Sequence, residues 1–287
     1  MRYLDPKNDL TFKRVFGEHA HLLKSFLNSQ LPLESPIDTI EYLPSELVPE
    51  IPVFKNSIVD VRCIDLLGRQ FIVEMQMLWT DSFKSRVVFN ASKAFVRQIE
   101  RGKEYKELQP VYSLNIINEN FEHDLADYLH HYKIVHLLDS NKIIPGLEFI
   151  FIELPKFKAN KFTDKKLSVL WLRFLSEIKD NQEEIPADFL EVPEIKEATE
   201  LLKESSYTKA QLETYDKYWD GISTEKSLLS GAFDDGKIEG KVEGKTEEKL
   251  EGIIRAIKKA KFSNEEIAEI FDVSVEYVLE IKMKIKS

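Results

Sequence analysis

The chain has 287 residues, 43% of them hydrophobic and 31% charged, which is typical of a soluble globular protein with one sizeable core and room for a smaller second unit. It has no run of 18 apolar residues and no apolar signal segment at the N-terminus, so a cytoplasmic protein without membrane spans is predicted. The net charge of −10 argues against a protein that coats nucleic acid, and the single cysteine, Cys63, excludes an internal disulfide.

Helix and strand patterns alternate through the first 154 residues. In chain order they predict a helix at 9–29, a strand at 37–43, a hairpin at 56–79, a helix at 81–102 that ends at a glycine, and strands at 111–117, 133–138 and 147–154. The histidines between the last strands lack the regular spacing of a metal site, and surface or loop positions are predicted for His123, His130, His131 and His136.

The hairpin is the most informative of these segments, because both of its strands alternate apolar and polar residues. The apolar sets are Val59, Val61 and Cys63 on the first strand and Phe71, Val73 and Met75 on the second. If both sets face one core, Asp60 and Glu74 share the opposite, solvated face, since cross-strand partners point the same way. A two-residue loop would pair residue 60 with residue 75, so the turn at Leu67-Gly68 must contain an odd-length loop or a bulge.

Two carboxylates one strand apart repel each other unless a proton or a cation lies between them. A hard divalent ion such as Mg²⁺ suits such a pair, and it can activate water beside a phosphodiester. Gln76 faces the same side as Glu74, and its amide is a candidate for orienting that water. The alternative is an ordinary amphipathic hairpin, whose solvated face would carry the same residue types.

Asp60 followed by Glu74-Met75-Gln76 resembles the active-site hairpin of PD-(D/E)XK nucleases, in the branch of Rpn-type recombination-promoting nucleases and transposases. The similarity covers about the first 155 residues. The segment 8–17, NDLTFKRVFG, resembles the opening D-x-x-F-K-x-x-F-G of that family, and the following helix and strand resemble it at Arg86, Gln98, Gly102 and the segment 105–112, YKELQPVY.

The resemblance implies an α/β fold with a restriction-endonuclease-like core, of element order αβββαβ, and a C-terminal helical extension. It also implies a metal-dependent DNA endonuclease that acts in recombination or transposition. In such an enzyme Asp60 and Glu74 would hold Mg²⁺ or Mn²⁺, and Gln76 would place the attacking water. The accessory catalytic candidates are Asp9, Lys13, Arg86 and Gln98.

Two positions depart from the family pattern. Val59 stands where the superfamily has Pro, and Gln76 stands where most members have Lys. An amide is neither a general base nor a cation. A second hypothesis therefore stays open, namely a catalytically inactive nuclease-fold protein that binds DNA or serves in assembly.

The helix predicted at 81–102 is rich in basic residues and directly follows the strand that carries Glu74. The DNA-binding candidates on it are Lys84, Arg86, Lys93, Arg97 and Arg101. Such residues could bind a phosphate backbone beside the metal, and the alternative is a solvated helix face.

Beyond residue 160 the patterns predict helices at 167–178, 193–204 and 208–229, followed by a tetrapeptide repeat, GKIEGKVEGKTE, at 236–247. Interior glycines cost about 1 kcal/mol each relative to Ala, which makes a solitary helix poor. In a parallel pair of helices the Lys column of one chain would meet the Glu column of the other. A parallel homodimer through 236–252 is therefore predicted, and the alternative is a flexible charged linker.

The last segment resembles a helix-turn-helix, with a capping box formed by Ser263 and Glu266. The module is predicted to read or tether DNA. Glu276 and Glu280 offset the lysines of its second helix and argue against strong DNA binding by this module alone, so a module that docks a protein is the alternative. Four parts are thus predicted: a nuclease core at 1–160, a helical region at 161–232, the repeat at 233–252 as a helix or linker, and the helix-turn-helix-like module at 253–287.

Overall fold

The computed structural model describes residues 2–47, 57–99, 104–159 and 166–286 of the chain. The strands are β1 (Ile40–Tyr42), β2 (Glu46–Leu47), β3 (Ser57–Ile58), β4 (Val61–Asp65), β5 (Gln70–Gln76), β6 (Val111–Ile117), β7 (Leu129–His136) and β8 (Asp139–Glu153). Six of them form one sheet in the order β1-β4-β5-β6-β8-β7, and β2 pairs with β3. The helices are α1 (Asp9–Phe12), α2 (Ala20–Gln30), α3 (Ser82–Val96), α4 (Leu167–Glu177), α5 (Pro193–Leu201), α6 (Lys209–Lys259), α7 (Asn264–Phe271) and α8 (Val275–Lys286).

The hairpin of β4 and β5 has the register that the alternation predicts. Val61 lies opposite Val73 in this antiparallel pair. Extending the ladder by one residue beyond the start of β4 places Asp60 opposite Glu74. The charge of Glu74 raises the pKa of Asp60, so the two carboxylates lie near each other.

The turn of this hairpin is odd in length, and the prediction of an odd loop is confirmed. The N–H of Asp65 donates to the carbonyl of Arg69 at 3.1 Å, which leaves three residues, 66–68, in the loop. Gly68 has a φ of +80°, in the left-handed region that favours glycine. A Cβ at this position would also lie 3.0 Å from Cγ of Gln109.

Strand direction brings the polar ends of the hairpin to one edge of the sheet. β5, β6 and β8 run parallel, and their last residues, Gln76, Ile117 and Glu153, lie in one row. β4 runs in the opposite sense, so Asp60, just before its first residue, lies at this same edge.

Both faces of the sheet are covered at β5 and β6. On one face α2, α4 and α5 pack around a large core that includes Phe16, Phe26 and Trp171. On the other face Ala91 and Ala94 of α3 pack on Ile72. The chain between β5 and β6 crosses over the sheet as α3, which is the usual way to join two parallel strands.

The prediction that the carboxylates lie on a solvated face is therefore wrong for Glu74. Glu74 is only 5% exposed, because α3 covers its side of the sheet. Val59 does not share a core with Val61 either; it packs with Leu47 and Ile72 on the side of α3. Alternation alone could not show this, since a strand buried on both faces follows from parallel pairing with a distant strand.

The opening helix predicted at 9–29 is interrupted. α1 continues into a π-helix, Lys13–Gly17, and α2 begins only after the non-helical residue His19. A π turn holds more residues than an α turn, and here Phe16 still reaches the large core before the chain turns into α2. The hydroxyl of Tyr42 donates to the carbonyl of Phe16 at 2.8 Å and fixes the break.

Two other helices differ in length from their predictions. α3 ends at Val96, whereas residues 100–103, with the predicted stop at Gly102, lie outside the described part of the chain. The helix expected to end at residue 229 continues through the repeat to Lys259, for 51 residues in all. No proline interrupts this segment, and glycine weakens a helix without ending it.

The histidine prediction is wrong at His130. This residue lies in β7, is buried, and its Nε2 lies 2.7 Å from Oε1 of Glu153. β7 begins at Leu129 and β8 at Asp139, so the strands extend well beyond the predicted 133–138 and 147–154. Histidine has no strong strand signal of its own, and for this reason the pattern missed the start of β7.

The chain divides into two compact units, Met1–Ile222 and Ser223–Ser287. In the first unit a single core joins the sheet to α4 and α5. In the second, the end of α6 packs with α7 and α8 around Ile253, Ile267 and Val278. The predicted capping box of Ser263 and Glu266 at the start of α7 is confirmed. None of the described helices is long and apolar enough to span a membrane.

Candidate active site

Asp60 lies at the entrance of β4 and is held from the neighbouring strand. Its Oδ2 accepts a hydrogen bond from the backbone N–H of Met75 at 2.7 Å. Met75 follows Glu74 in β5, so this bond ties Asp60 directly beside the second carboxylate. The side chain of Asp60 is half-buried.

Glu74 is held from α3 by two side chains. Nδ2 of Asn90 donates to Oε1 of Glu74 at 3.0 Å, and Nη2 of Arg86 lies 3.7 Å from its Oε2. Burial raises the pKa of Glu74, whereas the hydrogen bond from Asn90 and the charge of Arg86 act in the opposite direction. The two oxygens of this carboxylate thus have different neighbours.

Gln76 uses both atoms of its amide. Its Oε1 accepts from Nη2 of Arg86 at 2.6 Å, and its Nε2 donates to the carbonyl of Leu78 at 2.6 Å. The same guanidinium therefore bridges Glu74 and Gln76. This contact supplies a positive charge beside Gln76, the position where Lys stands in most of the nucleases that the sequence resembles.

Asp9 and Lys13 lie close enough to Asp60 to affect its ionisation. Burial is the main cause that raises the pKa of Asp60 to about 7; the charges of Glu74 and Asp9 raise it further, and Lys13 and the Met75 N–H lower it. Lys13 and Asp9 form an ion pair of 2.7 Å on the opening helical segment. The structure therefore brings six of the predicted site residues together, namely Asp9, Lys13, Asp60, Glu74, Gln76 and Arg86.

The donor set at this edge fits a hard divalent ion. Asp60 and Glu74 offer carboxylate oxygens, and Mg²⁺ commonly takes one or two carboxylates and fills its other positions with water and substrate phosphate. The charge of Glu74 helps to raise the pKa of Asp60, so a cation between the two would relieve their repulsion. Within the described ranges no group of three or more His, Cys, Asp or Glu side chains is arranged to hold a metal, so the pair would not form a closed cage.

Gln98 is not brought to the carboxylates. Its Nε2 donates to the carbonyl of Gln109 at 2.9 Å, and its Oε1 accepts from the N–H of Gln109 at 2.8 Å. Gln109 precedes β6 at the edge where β5 begins, whereas Glu74 lies near the end of β5. In this position Gln98 fastens the end of α3 to the next strand.

The basic residues of α3 fall into two groups. Arg86, Lys93 and Arg97 lie within about 40° of each other around the helix, at 100° per residue, whereas Lys84 lies on the opposite side. Lys84 pairs with Glu122, and its Nζ lies 4.8 Å from the ring centre of Phe121.

Lys93 is held near the two-stranded sheet, where its Nζ donates to the carbonyl of Leu47 at 2.6 Å. Burial and the charge of Arg97 lower the pKa of Lys93, so these two basic side chains lie close together. Arg101, the last of the predicted DNA-binding residues, lies outside the described residues.

Asn90 is the site residue that the sequence reasoning missed. It is completely buried in the middle of α3 and contacts Glu74. The signal was present, because an amide stands four residues after Arg86, on the same side of a helix that otherwise buries apolar residues. Only the position of α3 over β5 shows what that amide contacts.

One of the comparisons with known proteins identifies a family. The family model described as PD-(D/E)XK nuclease family transposase matches residues 6–232. The match includes Asp9, the whole hairpin and α3. No curated protein and no solved structure matches the chain.

Proposed function

Because the chain belongs to the PD-(D/E)XK nuclease family transposases, we propose that it is a metal-dependent DNA endonuclease that acts in recombination or transposition. The observation that carries the proposal is that Asp60 is hydrogen-bonded to the backbone of Met75, next to Glu74, at the edge where Arg86 also lies. Phosphodiester hydrolysis needs a charge-stabilised phosphate and an activated water, and this edge offers the groups for both.

Asp60 and Glu74 are the residues that would hold Mg²⁺ or Mn²⁺. When bound, such an ion lowers the pKa of a water molecule and offsets the charge that develops on the phosphate oxygens. One oxygen of each carboxylate accepts a hydrogen bond from the chain, Oδ2 of Asp60 from Met75 and Oε1 of Glu74 from Asn90. Asp9 would contact the ion through a water molecule, and its partner Lys13 would supply a positive charge near the substrate.

Arg86 would supply the positive charge that Gln76 cannot. Its guanidinium is half-exposed and already lies between Gln76 and Glu74. A guanidinium binds a phosphate oxygen pair in a fixed, forked geometry. Because Oε1 of Gln76 accepts a hydrogen bond from Arg86, the main role of Gln76 would be to position the guanidinium, and orienting water would be secondary.

The DNA backbone would lie along one side of α3. Arg86, Lys93 and Arg97 share that side, and spaced basic side chains contact successive phosphates without reading the bases. Lys84 is on the other side and paired with Glu122, so its contribution to this path would be smaller.

Plasmid nicking by the full chain tests the proposal. We expect Mg²⁺-dependent nicking by the wild type and a loss of about 100-fold or more for Asp60→Asn and Glu74→Gln, with both variants folded by circular dichroism. Glu41→Gln is the matched control, because Glu41 is an exposed acid on β1 of the same sheet. Wild-type rates in the two site variants would overturn the site assignment.

The second candidate function is a catalytically inactive nuclease-fold protein that binds DNA or serves in assembly. The observation that favours it is Gln76 itself, whose amide stands in the place of Lys and has both atoms engaged by Arg86 and Leu78. DNA binding by a wild-type protein that nicks no plasmid under Mg²⁺ or Mn²⁺ would select this function.

The repeat would join two chains in a parallel homodimer. Its glycines Gly236, Gly240 and Gly244 are helical, and a Cβ added at any of them would meet nothing within 4 Å. Helix backbones can approach closely along such a column, and in a parallel pair the Lys and Glu columns of the two chains would face each other. A dimer would present two sites, one for each strand of DNA.

A further inference from the structure

Asn90 is an unusual residue for its place in the fold. It is 0% exposed in the middle of α3, where the other buried residues are Phe83, Val87, Ala91 and Ala94. Asparagine is a poor helix former, and a buried amide is unfavourable unless its polar atoms are hydrogen-bonded. A buried Asn in this position must therefore have specific partners.

The partners of Asn90 form a chain of two hydrogen bonds. The hydroxyl of Ser57 donates to Oδ1 of Asn90, and Nδ2 of Asn90 donates to Oε1 of Glu74 at 3.0 Å. An ionised carboxylate only accepts hydrogen bonds, so the nitrogen of the amide must face Glu74. The oxygen then faces Ser57, which has a proton to donate, and the direction of both bonds is set.

The two oxygens of Glu74 are thereby distinguished. Oε1 is held by Asn90 inside the fold, and Oε2 points to the guanidinium of Arg86 at 3.7 Å, at the site edge. A carboxylate that can turn freely offers both oxygens to a cation. One that is held by Oε1 presents a single oxygen in a fixed direction.

We propose that Asn90 is a positioning residue that makes Glu74 present one oxygen to a divalent cation, and that Ser57 sets the orientation of Asn90. The inference rests on the proposed function, because it takes Glu74 as a ligand. Mg²⁺ and Mn²⁺ prefer octahedral geometry, which favours one oxygen from each carboxylate, whereas the larger Ca²⁺ binds a carboxylate through one or both oxygens. Asn90 would therefore favour the smaller ions over Ca²⁺.

Direct binding of MnCl₂ and of CaCl₂ to the full chain, measured by calorimetry without DNA, tests this inference. Partners that orient a metal ligand contribute about 10-fold to 100-fold to metal affinity. For Asn90→Leu, which keeps the branched shape of the side chain but has no donor, we expect Mn²⁺ affinity to fall about 10-fold. Affinity for Ca²⁺ should fall less, so the preference for Mn²⁺ narrows.

A matched control is available on the same side of the sheet. Asn115 is a buried Asn of β6 that lies beside Glu74 in the ladder, but its Nδ2 donates to the carbonyls of Ser113 and Ile150. Asn115→Leu should lower the melting temperature as Asn90→Leu does, because each leaves buried polar groups without partners. Its ratio of Mn²⁺ to Ca²⁺ affinity should stay that of the wild type.

Ser57→Ala keeps the test decisive if Asn90→Leu does not fold. It removes the hydroxyl that orients Asn90 at a half-buried position, and we expect a smaller change of the affinity ratio in the same direction. If Asn90→Leu folds, an unchanged ratio of Mn²⁺ to Ca²⁺ affinity in this variant overturns the inference. If Asn90→Leu does not fold, an unchanged ratio in Ser57→Ala overturns it.

The inference and the proposed function fail in different ways. Wild-type protein that binds Mn²⁺ selectively and loses this selectivity in Asn90→Leu, but cleaves no DNA, would refute the endonuclease and keep the role of Asn90. Mg²⁺-dependent nicking together with Asn90→Leu binding that equals the wild type would do the opposite. Wild-type protein that binds neither ion would refute the role of Asn90 outright.

Discussion

Asp60 combines burial with two acidic neighbours, and this makes the free energy of unfolding depend on pH. Its pKa is raised from the ordinary 3.8 to about 7, first by burial and then by Glu74 and Asp9. The folded state therefore binds this proton more tightly than the unfolded state. The stabilising contribution is complete below about pH 4, is lost as pH rises toward 7, and is absent above that.

We expect Asp60→Asn to raise the free energy of unfolding of the metal-free protein at pH 8 by about 2 kcal/mol, and to flatten its pH dependence between 4 and 7. Urea denaturation in a chelating buffer at several pH values measures both effects. Glu41→Gln, on the exposed side of β1, should change neither. A variant less stable than the wild type at pH 8 would contradict the account of Asp60.

Arg86 permits a test by exchange of charge. We expect Arg86→Gln to slow nicking about 10-fold to 100-fold, because it removes the cation beside Glu74 and Gln76. Adding Gln76→Lys to that variant returns a positive charge to the same edge and should recover part of the rate. Single-turnover nicking at saturating Mg²⁺ is the measurement, and a double variant slower than Arg86→Gln would refute the exchange.

How much of the site the sequence could predict differs from residue to residue. The alternation in the hairpin was enough to predict the register that puts Val61 opposite Val73, because strand parity is a local property. The role of Asn90 was not accessible, because it depends on α3 lying over β5, and that follows from the pairing of β5 with the distant β6. The burial of His130 escaped for the same kind of reason, since its partner Glu153 belongs to another strand.

At the scale of elements, the glycines of α6 show how one residue type serves two purposes. Gly236 lies on an open stretch of helix, whereas a Cβ at Gly252 would come within 2.5 Å of Cε1 of Phe271 in α7. Within its own chain the first glycine has no packing partner and weakens the helix, whereas the second permits the close packing of α6 on α7.

A pair of Gly→Ala variants in this one helix separates the two roles. We expect Gly236→Ala to stabilise α6 by about 1 kcal/mol, because Ala has the higher helix propensity. We expect Gly252→Ala to destabilise the C-terminal unit by about 1–3 kcal/mol, because the added methyl group overpacks the contact with Phe271. Thermal denaturation followed by circular dichroism at 222 nm compares them. Equal effects of the two substitutions would contradict the packing of Phe271 on Gly252.

Helix and strand positions were predicted well where the local pattern was strong, as for β6 and α4, and poorly at their ends. The sequence from Asp9 to Ser29 shows one continuous helical pattern, yet the helix is interrupted at His19. The hydroxyl of Tyr42 donates to the carbonyl of Phe16, just before this interruption. The partner that fixes the break is a residue of β1, so the apolar pattern of the helix itself contains no sign of it.

At the scale of the whole molecule, one chain would be enough to bind the ion and nick one strand, whereas cutting of both DNA strands would need the proposed dimer. The first compact unit ends at Ile222 and contains all the residues of the site, whereas the repeat belongs to the second. The family match likewise ends at residue 232, before the repeat.

Removal of residues 236–287 should therefore yield a monomer by light scattering that still nicks a plasmid. We expect double-strand breaks to fall more than nicks, because two linked sites act on one DNA molecule at a much higher effective concentration. A truncated chain that stays dimeric would locate the interface in the first unit.

Exchange of the lysines at 237, 241 and 245 for Glu is the matched test on the full chain, since it keeps the length and the C-terminal helices. The dimer should weaken, and the effect should fade in 1 M salt, where screening acts within about 3 Å.

The three-residue turn between β4 and β5 also restricts how this gene can change in length. Inserting or deleting a single codon there would move every later side chain of β5 to the opposite face, so Phe71 and Val73 would turn toward α3 and Glu74 toward the aromatic core. A change of two codons would leave the facing of the strand intact. Relatives of this chain that keep the acidic pair should therefore differ at this turn by even numbers of residues, or compensate an odd change with a bulge.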